Sequence, residues 1–69
     1  MVKEIIFLVE ETSEGSYTAR ALGHSICTEA DSLVLLRERV QAATRCHFED
    51  KEMPQVIRLH IVKDEVIPV

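Results

Sequence analysis

Two short clusters in this chain carry residue types suited to metal or thiol chemistry: His24-x-x-Cys27 in the middle and the adjacent pair Cys46-His47 further on. Two thiolates and two imidazoles are the donors of a structural zinc site. Such ligands usually come in pairs separated by two to four residues. Neighbours on a helix point about 100° apart, so Cys46 and His47 cannot share one metal easily. His47 is expected instead on the buried stripe of a helix, as a hydrogen-bonded core histidine. Cys27, beside His24 and Glu29, is a possible nucleophile. Reactive thiols need an electropositive, partly exposed setting, and its neighbours along the chain are mixed to acidic. No catalytic residue, metal site or cofactor site is assigned.

The elements that must position these residues can be read in order. Residues 3–10 form a strand of high apolar density, with Ile5, Phe7 and Val9 on one face. Ile6 and Leu8 lie on the other face, between Glu4 and Glu10. Bulk on both faces marks a central strand. Residues 11–15 make a hairpin loop, with Gly15 suited to a left-handed position. The next strand alternates Tyr17, Ala19 and Ala21 with Ser16, Thr18 and Arg20. Its two alanines predict a helix lying close above. Gly23 ends it, and Ser25–Thr28 reads as a short third strand.

Asp31 and Ser32 both suit the N-cap of a helix running from Leu33 to about Phe48. Leu33, Leu36, Val40, Ala43 and His47 fall on one stripe at helical spacing. Glu38, Gln41 and Arg45 lie opposite, with Val34 as an exposed apolar exception. Met53-Pro54 closes a charged loop, and a last strand over 56–62 turns Ile57, Leu59 and Ile61 inward, with Arg58 and His60 outward. Lys63-Asp64-Glu65 either turns the tail back or lets the strand run on.

The order β-β-β-α-β predicts an α+β fold: a four-stranded sheet of order 3-2-1-4 with one helix on one face. The helical crossover places the last strand parallel to the first, with right-handed connection. Residues 1–69 make one domain, without repeats or linkers. With 46% hydrophobic and 29% charged residues, the composition is that of a globular chain. A net charge of −4 argues against nucleic acid as a direct partner. No apolar run approaches the roughly 18 residues of a membrane span. No signal peptide is expected, so the chain is expected to be soluble and cytoplasmic, with both thiols reduced.

Gly15-Ser16-Tyr17-x-Ala19, then Leu22-Gly23, then Thr28-Glu29-Ala30-Asp31-Ser32-Leu33 resemble the hairpin, bend and pre-helix motifs of the HicB-like antitoxin family. The resemblance covers residues 5–48. It implies a degenerate ribonuclease-H-like fold, often paired with a small HicA-type toxin. It also implies a short, solitary member of the family, without the DNA-binding segment that full antitoxins add. A two-metal nuclease needs several carboxylates converging on the metals. The first strand offers Glu4 and Glu10 only at its ends, so no nuclease site is assigned.

What remains is the sheet face turned away from the helix, carrying Ile6, Leu8, Arg20, Arg58 and His60 among its residues. It reads either as a solvated face held by cross-strand Glu–Arg pairs or as a docking surface with an apolar centre and a charged rim. The function expected is a non-catalytic protein-interaction module that binds a small toxin through these five residues. A small enzyme and a structural subunit of a larger complex are the alternatives. A homodimer is expected as well, through this face in preference to the edge of the third strand.

Overall fold

A computed structural model describes residues 3–63 and 65–69 of the chain. Four strands and one helix follow in the order β1 (Glu4–Glu11), β2 (Tyr17–Ala21), β3 (Cys27–Ala30), α1 (Leu33–His47) and β4 (Val56–Val62). The sheet order is β3-β2-β1-β4. β1 pairs antiparallel with β2 and parallel with β4, and β2 pairs antiparallel with β3. The expected α+β architecture is therefore the observed one.

The turns obey local chemistry. The hairpin between β1 and β2 closes through Gly15 N–H donating to Thr12 O at 3.1 Å, with Gly15 at φ +86°. A second tight turn places Gly23 at φ +82°. At both positions a side chain would meet open space, so the demand for glycine comes from the backbone alone.

The core lies between the sheet and the helix. Ile5, Phe7 and Val9 of β1 are buried there with Ala19 and Ala21 of β2, Ile26, Ala30, Leu36 and Val40. The two alanines let α1 settle close over β2 and β3. Ser32 caps the helix, its hydroxyl accepting from Leu35 N–H at 3.1 Å. At the other end, Phe48 N–H donates to Thr44 O at 3.2 Å.

Four expectations need correction. The third strand is shifted to Cys27–Ala30, because pairing with β2 carries the ladder on to Tyr17↔Ala30. Ser25 lies before it, and Ile26, buried in the core, closes the turn by accepting from Ala21 N–H at 2.9 Å. The buried helix positions are Leu36, Val40 and Thr44, with Leu33 and Ala43 only half-buried. Thr44 is tolerated because its hydroxyl donates to Val40 O at 2.8 Å. His47 is exposed, its ring packing edge-on against His24 and Phe48 instead of entering the core. Ile61 faces the helix side but stays 52% exposed, since α1 rests on β2 and β3 and leaves the end of β4 uncovered. Val34 is exposed, as the pattern required.

β4 ends at Val62, and Lys63 and residues 65–69 take no regular structure. The turn expected at Asp64 lies outside the described residues. Leu36 is fully buried at the centre of the helix–sheet contact. Leu36→Ala should cost about 2–5 kcal/mol, read as a lowered urea midpoint with an unchanged slope.

Candidate functional site

Register brings the five expected surface residues onto one continuous patch. Leu8 lies directly opposite Arg20 on one side and His60 on the other, while Ile6 lies opposite Arg58. Residues opposite each other across strands share a face, so all five point away from the helix. Ile6 and Leu8 are half-buried, and Arg20, Arg58 and His60 are exposed. The result is an apolar centre two side chains long, bordered by two arginines and a histidine.

Acids complete the border. Glu4 forms an ion pair with Arg58 across β1 and β4. Towards the other side, Leu8, Glu10, Thr18, Arg20, Cys27 and Glu29 line a shallow depression of about 430 Å³. Cys27 and Glu29 were not expected here. Cys27 lies opposite Arg20 and Glu29 opposite Thr18, so the depression spans β1, β2 and β3. The signal that locates them is the β2–β3 register, which a reading of neighbours along the chain does not contain. Among the described residues, Arg20 is in no ion pair, unlike Arg58.

The other chemistry-bearing cluster lies at the C-terminal end of α1. His24 from the β2–β3 loop meets His47 and Phe48, with ring centroids 5.9 and 5.0 Å away, and His47 lies 4.9 Å from Phe48. All three contacts are edge-to-face, the favourable geometry for aromatic quadrupoles. Cys27, Cys46 and His47 border a shallow depression of about 330 Å³ beside this trio. Both thiols are free and exposed. Among the described residues, no three His, Cys, Asp or Glu side chains converge as metal ligands. The rings therefore serve as an aromatic clasp between the loop and the end of α1.

A third feature is the groove left along β4. Ile57 and Leu59 form its floor, with Arg37, Val40 and Gln41 on the helix wall, and it holds about 240 Å³. A continuation of about 410 Å³ runs past Thr44 and Arg45 to Met53, Pro54 and Gln55. No described helix is long and apolar enough to cross a membrane.

These features define a small α+β domain with one covered and one open sheet face, and with shallow surface depressions. The chain belongs to the UPF0150 family. It is 62% identical over 52 residues to a UPF0150 protein of Archaeoglobus fulgidus, an alignment covering 75% of this chain and 77% of the relative. It is 36% identical over 67 residues to a UPF0150 protein of Thermotoga maritima, covering 97% of this chain and 94% of that protein. The shared name carries no activity. No family model and no solved structure matches the chain.

The Glu4–Arg58 pair is well exposed on the arginine side, and water should screen it. A double-mutant cycle on Glu4→Gln and Arg58→Gln should give a coupling of about 0.2–1 kcal/mol at low salt. Denaturant melts repeated at about 1 M salt should find that coupling largely gone.

Proposed function

We propose that the protein is a non-catalytic interaction module, a HicB-like antitoxin domain that binds a small HicA-type toxin through its open sheet face. The observation that carries this reading is the contiguous patch of Ile6 and Leu8 bordered by Arg20, Arg58 and His60. An apolar centre within a charged rim is the usual anatomy of a protein-binding surface. Membership of the UPF0150 family is compatible with the reading and assigns no other activity.

The overall charge of the chain, more than that of the patch itself, favours a basic partner. The chain carries a net charge of −4, and Glu4, Glu10 and Glu29 stand around the patch. Such an arrangement speeds encounter with a cationic protein and sets its orientation more than it raises affinity. Leu8 is the expected anchor, because it sits in the middle of the patch and is flanked on both sides.

The test is calorimetric titration with a small basic toxin encoded in a reading frame adjacent to this one. Binding to the wild-type chain should be weakened about thirtyfold by Leu8→Arg, the loss of one anchor of about 2 kcal/mol. Val34→Arg, on the exposed helix face, should leave it unchanged. Absence of binding, or equal effects of the two substitutions, would overturn the proposal.

A further inference from the structure

The outer edge of β4 and the segment after it are both left without partners among the described residues. Val56 N–H donates inward to Lys3 O, at 3.1 Å. In a parallel ladder the inward groups alternate, so Ile57, Leu59 and Ile61 turn their N–H and C=O groups to the free edge. That edge is lightly protected: the strand from Val56 to Val62 holds no proline and no acid, and its arginine is paired with Glu4. The other edge is poorer. β3 has four residues, and Arg39 already donates to the outward Glu29 carbonyl at 2.9 Å.

Beyond β4, Val66 is 92% and Ile67 74% exposed. The segment projects from the body of the molecule. The long axis measures 52 Å, whereas the 15-residue helix accounts for about 22 Å. The radius of gyration is 13.5 Å, against about 11 Å for a compact chain of this length. The groove towards Met53 and Pro54 begins at the opposite end of β4 from the one this segment leaves. An apolar segment of irregular backbone and a groove floored by Ile57 and Leu59 thus lie on one molecule at positions that do not meet.

We propose that two copies of this chain pair through β4, antiparallel about Leu59, and that the segment Val66–Val69 of each lies along the helix-side groove of the other. This register matches every apolar residue with an apolar one: Ile57 with the partner copy's Ile61, Leu59 with its counterpart, Val56 with Val62. The outward backbone groups of Ile57, Leu59 and Ile61 then face one another as hydrogen-bonded pairs, each exchanging two bonds. The two sheets become one of eight strands, with both helices on the same side. Ile61, uncovered in one copy, gains Ile57 of the second as its neighbour. Continuing the register carries Val66 and Ile67 alongside Glu52 and Lys51, next to Met53 and Pro54 at the groove's mouth. Pro54 has no N–H to offer, so the ladder ends there and the segment packs by side chains. The open face stays free in this arrangement, so the pairing does not rest on the toxin-binding reading.

Light scattering tests it, on the full chain at concentrations from about 1 to 500 μM. The wild type should weigh twice the 7.9 kDa monomer. Ile61→Lys should weaken association about a hundredfold, a factor of ten for each copy of the lysine. The double variant Val66→Asp, Ile67→Asp, altered only in the projecting segment, should weaken it too. Ile6→Lys, on the open face, should leave the dimer intact. Amide exchange should be slow at Ile57, Leu59 and Ile61 in the wild type and fast in Ile61→Lys. A monomeric wild type overturns the proposal. So does a dimer disrupted by Ile6→Lys and not by Ile61→Lys, or one indifferent to the changes at Val66 and Ile67.

Discussion

The pairing of β1 on both of its edges is the constraint on which everything else rests. Antiparallel hydrogen bonds to β2 and parallel ones to β4 leave β1 with no free edge over most of its length. That is why it can be apolar on both faces. Its inward residues Ile5, Phe7 and Val9 supply three of the nine core side chains among the described residues. They are the floor on which α1 rests. Its outward residues Ile6 and Leu8 supply the centre of the open face. The same eight residues therefore set both the stability of the domain and the chemistry of its exposed surface.

A single helix cannot cover four strands evenly. Ala19 and Ala21 draw α1 over β2, and Ala30 brings it close to β3. The cover is consequently lopsided. β4 keeps Ile57 and Leu59 only half-buried and holds its place chiefly through hydrogen bonds to β1. Unequal cover, more than any special residue, creates the groove on the helix side. A larger residue at Ala19 or Ala21 would be expected to lift the helix and alter that groove without touching its lining.

Much of this was legible in the chain itself. The density of Ile5-Ile6-Phe7-Leu8-Val9 marks the central strand, the alanine pair marks the helix contact, and the β-β-β-α-β order dictates a parallel β4. The bounds of β4 also follow from local chemistry, which narrows the helix cap to Asp31 or Ser32. What escaped depends on how elements meet. The extent of β3 is decided by pairing with β2. The burial of Thr44 instead of His47 depends on where the helix axis crosses the sheet, which periodicity does not contain. The place of Cys27 opposite Arg20 is a property of register, and adjacency along the chain pointed to an acidic setting instead. On the open face the alternation was sufficient to gather all five candidate residues, although their role in binding is a proposal.

The parallel pair of β1 and β4 also has a temporal meaning. β1 is made before all the other elements of this sheet, and its partner at one edge follows about fifty residues later: Glu4 pairs with Val56 and Glu10 with Val62. β2, β3 and α1 can assemble through contacts between neighbours in sequence, whereas β4 must close a long loop before its bonds repay the entropy. During synthesis the most apolar strand therefore has one edge bare until β4 has emerged. The acids at its two ends, Glu4 at one and Glu10 and Glu11 at the other, are placed to repel a second nascent chain over that interval.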